Sequence, residues 1–382
     1  MKHAPKRTLS NALKLLLHPS APLWGELFAA DKGGGMLRGK PRGFVLADPG
    51  LNLWQGIRDD AILYFNGAGK GSAAAGWPRP GPGKGDGGSG RPPAIHFWHA
   101  PGEALLRARV AGLDCLLPSG HVLSSQVSCI NHLFPLVSDG QAAGAVLRAL
   151  SRDWDDPIDE ALPVDIHERG NYVEFEVVGG GSYLNEAGPS GLLTRGARCT
   201  SLDAVMKGRT RGGGTALFLI EWKYVERYRE KPKWDGESES VRRARYHALL
   251  TADDAPFDFS GTGRDARLLS RLFTNPYYEL MRQTLLGHRM TRDPGSNGGA
   301  TSFRHAVIVP DANRWLLASS GPLAGAGGDL AGNWNAIAKT PAVFIDPERM
   351  LEPASSLDPD RHAGWISYLR KRYWDPCRSA AQ

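Results

Sequence analysis

Two carboxylates and a lysine near the middle of this 382-residue chain have the types and spacing that metal-assisted chemistry requires. Asp203 lies in Arg198-Cys199-Thr200-Ser201-Leu202-Asp203-Ala204-Val205. Glu221 and Lys223 close the apolar run Ala216-Leu217-Phe218-Leu219-Ile220, and the turn Lys207 to Gly214 separates the two segments. Side chains at i and i+2 project to the same side of a strand. Ser201, Asp203 and Val205 are therefore expected on one face, and Leu217, Leu219, Glu221 and Lys223 on one face of the next strand. A run such as Ala216 to Ile220 is what a central strand covered on both faces looks like. It ends abruptly in charge, and the glycine-rich turn lets Asp203 come alongside Glu221 and Lys223. Two carboxylates placed together repel unless a divalent cation separates them, and hard oxygen donors suit Mg²⁺ or Mn²⁺. The competing reading of Glu221 and Lys223 is a solvated salt bridge at a strand end, worth ~0.2 to 1 kcal/mol.

The elements that must position these groups are legible in part. Val127, Ile130, Phe134 and Val137 have helical spacing after Ser124 or Ser125, either of which suits an N-cap. Asn131 falls on the same apolar face, so its amide needs a partner, either a neighbouring strand or the site itself. Gln126 at the helix start is a further candidate for supporting the site, or an exposed first-turn residue. Asn171 to Val178 alternates as a strand, with Glu174 and Glu176 opposite Val173, Phe175 and Val177. Asn275-Pro276 suits an N-cap followed by proline at the first helical position, with Tyr277, Met281 and Leu285 as the apolar stripe. Phe303 to Pro310 reads as another buried strand. Basic and aromatic residues interleave in Tyr224 to Lys233 and again in Val241 to Tyr246, a pattern that suits phosphate contact and base stacking. Acidic neighbours dilute it, and an ordinary solvated face is the alternative. Arg242, Arg243, Arg245, Arg282 and Gln283 are the candidate nucleic-acid contacts. Glu226 is expected to pair with Lys223 or an arginine, or to face water.

Asp203 with Glu221-Trp222-Lys223 resembles the Asp...(Asp/Glu)-X-Lys motif of the PD-(D/E)XK nuclease superfamily, with Leu202 where the name-giving proline would stand. The ordered set Ser124-Ser125-Gln126, Asn131-His132-Leu133-Phe134-Pro135-Leu136, Phe175-Glu176, Tyr183-Leu184-Asn185-Glu186, Cys199 to Ala204 and Ile220 to Tyr228 resembles a bacterial family of restriction endonucleases described as associating with ARP. That similarity runs from roughly Ala61 to Pro310. The resemblance implies a restriction-endonuclease-like three-layer α/β/α core around a central mixed β-sheet. It implies a metal-dependent DNA endonuclease in which Asp203, Glu221 and the backbone carbonyl of Trp222 bind Mg²⁺ or Mn²⁺ and Lys223 orients or activates the attacking water. An additional acidic residue is expected, with Glu176 and Glu186 competing for that place. A repair or structure-specific nuclease of the same fold is the alternative, and a nucleic-acid-binding module without the chemistry is a third.

Composition bounds these readings. With 41% hydrophobic and 23% charged residues the chain can bury a sizeable core. A net charge of +6 and a pI near 9.1 favour an anionic partner, DNA or RNA. Cys115, Cys129, Cys199 and Cys377 are scattered, without a C-x-x-C pair, which argues against zinc and for a reducing compartment. No segment has the length of a membrane span, and Met1 to Leu17 lacks the features of a secretory signal, so a cytoplasmic protein is expected. The organisation expected is an N-terminal extension over 1–65, a Gly/Pro-rich linker or insertion over 66–93, a nuclease core over 94–320 and a segment packing on it over 321–382. Gly67 to Ser72 lacks the spacing of a phosphate loop. His96 and His99 lack further clustered ligands and read as packing residues. A homodimer is left open.

Overall fold

The computed structural model describes residues 125–167, 170–186, 199–226, 238–259, 272–318 and 328–375. The N-terminal extension 1–65, the segment 66–93, His96, His99, Cys115, Cys377 and the basic stretch Arg227 to Lys233 lie outside the described residues.

The elements follow one another as α1 (Ser125–Leu133), α2 (Gly140–Leu150), β1 (Ile158–Leu162), β2 (Val173–Val177), β3 (Leu202–Thr210), β4 (Thr215–Trp222), α3 (Ser238–Thr251), α4 (Tyr277–Thr291), β5 (Ser302–Ile308), α5 (Arg314–Leu317), α6 (Leu330–Asn335), β6 (Val343–Ile345), α7 (Pro347–Leu357) and α8 (Pro359–Leu369). The strands form one mixed sheet. β3 pairs antiparallel with β4 on one side and, end to end on the other, with β2 and β1. β5 and β6 extend the β4 edge in parallel. The crossover from β4 to β5 carries α3 and α4, as a parallel connection requires.

Both faces of the sheet are covered. Phe175, Ala204, Met206, Phe218, Ile220, Trp222 and Ile308 pack in one cluster with residues of α1, α2, α7 and α8. Val177, Leu202, Val205, Leu217, Leu219 and Val307 pack in the other with residues of α3, α4 and α6. Each such side chain removed from water contributes about 1.5–3 kcal/mol before the entropy of ordering is counted. This is the three-layer arrangement expected from the resemblance.

Three details depart from the sequence reading. The first helix stops at Leu133, and Phe134–Leu136 continues as a 3₁₀ turn with Pro135 inside it, so Val137 lies beyond the helix. A proline without an N–H that also restricts the preceding residue accounts for the break. The helix after Asn275 begins at Tyr277 with Pro276 in the cap position and no side-chain cap; the Asn275 amide instead donates to Glu279 Oε1 at 3.2 Å. The residues after 321 do more than cover the core, because β6 is a strand of the sheet. Asp139, which caps α2 through the Ala142 N–H at 3.0 Å, also meets Arg361 of α8 at 2.9 Å and ties that segment down.

Candidate active site

The site is built where β2 and β3 stop alternating regularly, beside the end of β4. β3 and β4 are in register up to Ala204 opposite Ile220, and Asp203 and Glu221 are the next residues of the two strands. Asp203 Oδ2 accepts the Trp222 N–H at 2.7 Å, and the carboxylate thereby holds the end of β4. On its other edge β3 pairs Phe175 with Ala204 and Val177 with Leu202, which sets Glu176 across from Asp203. Glu176, Asp203 and Glu221 thus come from three neighbouring strands.

Glu176 has φ +57°, a left-handed conformation that costs a non-glycine residue on the order of 1–3 kcal/mol. Its consequence is visible in the packing: Phe175 belongs to the α1 side and Val177 to the α4 side, although i and i+2 should share a face. Leu202 and Ala204 divide in the same way. The expected shared face of Glu174 and Glu176 is therefore not formed. Glu174 accepts the N–H groups of Ile166 and His167, each at 2.9 Å, and fastens a turn. Glu176 is buried and accepts a hydrogen bond from the Gln126 amide of α1.

Glu221 and Lys223 face α4. The Lys223 ammonium meets Glu221 Oε1 and also donates to Glu279 Oε2 at 2.7 Å, and the Gln283 amide donates to Glu221 Oε2. This is no solvated strand-end pair, since the Lys223 and Glu221 side chains are only 9% and 7% exposed. Burial pushes the Glu221 carboxyl above its usual range, and the Lys223 charge works against that rise. The alignment follows from element geometry. Four residues of helix rise about 6 Å and two residues of strand about 6.6 Å, so i, i+4 positions on a helix keep step with i, i+2 positions on a strand. Gly287, Gln283 and Glu279 of α4 accordingly run over Leu219, Glu221 and Lys223 of β4. Gly287 sets the closeness: a Cβ there would stand 2.2 Å from Leu219 Cδ1.

Trp222 points the other way. Its indole N–H donates to Ser128 Oγ of α1 at 3.1 Å, and its ring packs 4.7 Å from that of His132. Cys129, also on α1, has its thiol pushed well up by burial and further by the charges of Asp203 and Glu221. A cavity of about 420 Å³ lies on this side, lined by Trp222, Tyr224, His132, Tyr373, Trp374 and residues around the start of α7. It does not contain Asp203, Glu221 or Lys223.

The remaining candidates divide. Glu186 is buried and accepts from Thr200 N–H, Thr200 Oγ1, Tyr246 OH and the Arg282 guanidinium. Arg282 is thereby committed to an ion pair at 3.1 Å and lies 5.2 Å over the Tyr278 ring. Gln283 serves Glu221 instead of reaching outward. The Asn131 amide donates to Tyr368 OH at 3.1 Å and Tyr373 OH at 2.8 Å, joining α1 to α8 and the turn that follows. Glu226 closes a local turn by accepting the Tyr224 N–H, because that donor lies two residues away. Arg242 is half-buried, 5.9 Å over the Tyr278 ring, and Arg245 is half-buried on the same helix. The side chain of Arg243 lies outside the described residues. Glu279 escaped the sequence reading. The signal was its i, i+4 spacing to Gln283 on the flank of the apolar stripe, but nothing in the sequence says which strand that flank meets.

Among the described residues no three His, Cys, Asp or Glu side chains converge as a metal-holding cluster. Asp203 and Glu221 are nonetheless hard oxygen donors on adjacent strands, and the buried Glu221 carboxylate already has a cation, Lys223, against it. The donor set fits a divalent ion completed by the Trp222 carbonyl and water. No helix among the described residues is long and apolar enough to cross a membrane.

The sequence model of the family described as Restriction Endonuclease associating with ARP matches residues 106–374. No curated protein and no solved structure matches the chain. The family match extends through every described strand and through both helices that hold the carboxylates, α1 and α4. A restriction-endonuclease-like core, with acid and lysine at the open end of its central strands, therefore has a family to which it can be assigned: this chain belongs to the restriction endonucleases associating with ARP.

Proposed function

We propose that the protein is a metal-dependent endonuclease that hydrolyses phosphodiester bonds in DNA, with Mg²⁺ or Mn²⁺ held by Asp203, Glu221 and the Trp222 carbonyl. The observation that carries this reading is the hydrogen bond from the Trp222 N–H to Asp203, which ties Asp203 to the strand end that bears Glu221 and Lys223, with the Lys223 ammonium against Glu221. A bound divalent ion supplies Lewis acidity toward the phosphodiester and acidifies water. The protein's part is orientation. The Trp222 N–H fixes Asp203, the Gln283 amide fixes one oxygen of Glu221, and Lys223 stands where an ammonium can meet a phosphate oxygen and direct the attacking water. Water adds to phosphorus as the phosphorus–oxygen ester bond breaks; the proton lost by the water leaves to solvent, and the departing sugar oxygen takes one from solvent to become a hydroxyl.

Glu176 is the better choice for the additional acidic residue. It is across from Asp203 in the sheet and occupies a strained backbone, whereas Glu186 is bound by Thr200, Tyr246 and Arg282. The net charge of +6 supports an anionic polymer as substrate. The buried thiols of Cys129 and Cys199 suit a reducing cytoplasm.

The test is a substrate panel of duplex, single-stranded and branched DNA with Mg²⁺ or Mn²⁺. Cleavage of at least one is expected, absent with chelator. Asp203→Ala and Lys223→Ala should each lose several kcal/mol of transition-state stabilisation, on the order of 10³-fold in rate, while DNA binding persists. Glu176→Gln should slow cleavage more than Glu186→Gln does at equal folded fraction. A wild-type protein that degrades no member of the panel with either metal overturns the enzymatic reading.

A further inference from the structure

Lys223 has two carboxylate partners, and the second is not part of the Asp203–Glu221 pair. Glu279 belongs to the first turn of α4, and its Oε2 accepts from Lys223 Nζ at 2.7 Å while its Oε1 accepts from the Asn275 amide at 3.2 Å. Its side chain is 28% exposed, against 9% for Lys223 and 7% for Glu221. The ammonium is therefore suspended between a deeply buried acid on the strand and a more accessible acid on the helix. An ammonium bonded to Glu221 Oε1 occupies one of the oxygens that a divalent cation needs. The two positive charges repel, so a cation binding there drives the ammonium off that oxygen, and a buried ammonium without another acid to receive it would resist the move strongly.

We infer that Glu279 is a positioning residue for Lys223, the carboxylate that retains the ammonium when a divalent cation takes Glu221. This inference rests on the nuclease reading above and deepens it. The geometry suits the role in three respects. The step of α4 over β4 places Glu279 above Lys223 just as Gln283 is placed above Glu221, so the lysine can transfer its bond without leaving the strand end. The Asn275 amide fixes one Glu279 oxygen and leaves the other directed at Lys223. The partial exposure of Glu279 makes its charge inexpensive to maintain, which a second deeply buried acid would not allow. Glu279 serves the ammonium and is not itself a metal ligand.

Mn²⁺ affinity, read by electron paramagnetic resonance on the full-length protein without DNA, tests this. Lys223 in a Glu279→Gln variant loses the Glu279 carboxylate, holds Glu221 more firmly and competes harder with the ion, so Mn²⁺ should bind about tenfold more weakly, the size of one pairwise coupling. Glu279→Asp, with the charge restored, should recover most of that loss. In a Lys223→Ala background Glu279→Gln should change nothing, because the competing ammonium is gone. Equal affinity for the wild type and Glu279→Gln overturns the inference. So does weaker binding caused by Glu279→Gln in the Lys223→Ala background, which would make Glu279 a ligand. A wild type that binds no Mn²⁺ overturns both this inference and the metal-dependent reading, whereas the first two outcomes leave that reading intact. Far-ultraviolet circular dichroism of each variant establishes that the folded protein is what is compared.

Discussion

Gly287→Ala is the substitution that most directly tests how the helix and strand are held in step. The added Cβ would stand 2.2 Å from Leu219 Cδ1 and 2.9 and 3.1 Å from two atoms of the Phe303 ring. Carbon atoms in contact prefer about 3.5–4.0 Å, so Leu219 or α4 must yield by about 1.3 Å. Leu219 is fully buried and Phe303 nearly so, and neither has open space to enter. Overpacking of this kind costs ~1–3 kcal/mol. Alanine in a helix interior returns ~1 kcal/mol relative to glycine, which leaves a net loss of roughly 0–2 kcal/mol. The functional effect should be larger than the effect on stability. A shift of α4 carries Gln283 and Glu279 away from Glu221 and Lys223, and a 1 Å displacement of a positioning group costs on the order of 100-fold in rate. Urea unfolding would give the stability change, and initial cleavage rates on the preferred DNA the activity. A Gly287→Ala protein that is about 1 kcal/mol more stable and cleaves at the wild-type rate would show that the α4–β4 approach does not position the site.

Two further outcomes follow from buried polar groups. Asn131→Ala removes the donors to Tyr368 and Tyr373 and should cost about 2 kcal/mol in urea unfolding, because two interior hydroxyls lose a partner. His132 and His305 are both held down to about 3, in each case chiefly by burial, with Arg372 and Lys223 respectively adding to the effect. Their folded values lie below the unfolded value, so the unfolded chain binds more protons between about pH 3 and 6.5. Stability should therefore be fully present above about pH 6.5 and fall as the pH drops, by up to ~1.4 kcal/mol per unit for each histidine. Urea midpoints measured from pH 7 to 5 check this, and His305→Leu should flatten the slope by about half if the two contribute equally.

The path from sequence to site was shortest where the information is local. The apolar run Ala216 to Ile220 and the charges that end it specify a central strand with an open end, because strand period and burial are written in consecutive residues. The same holds for Asp203, brought to Glu221 by a short turn. Elements without a periodic signature were less legible: β1, Ile-Asp-Glu-Ala-Leu, has no clear alternation, and β6 has only three residues. The conformation of Glu176 has no local signal, since glutamate rarely adopts a positive φ and only the surrounding packing maintains it.

The sequence by itself determined which residues the proposed chemistry would use and on which strands they stand. Tertiary structure alone decided what each of them meets. Gln283 and Glu279 reach Glu221 and Lys223 across separations of 62 and 56 residues, and Asn131 reaches Tyr373 across 242. Periodicity tells which face of an element is buried, but the residue opposite is fixed by how closely two elements pack and in what register. Here a glycine on α4 sets that distance, and the matched rises of helix and strand set the register. The same packing bonded Glu176 to Gln126 and Glu186 to Thr200, Tyr246 and Arg282, a difference between two acidic residues that their neighbours in sequence could not supply.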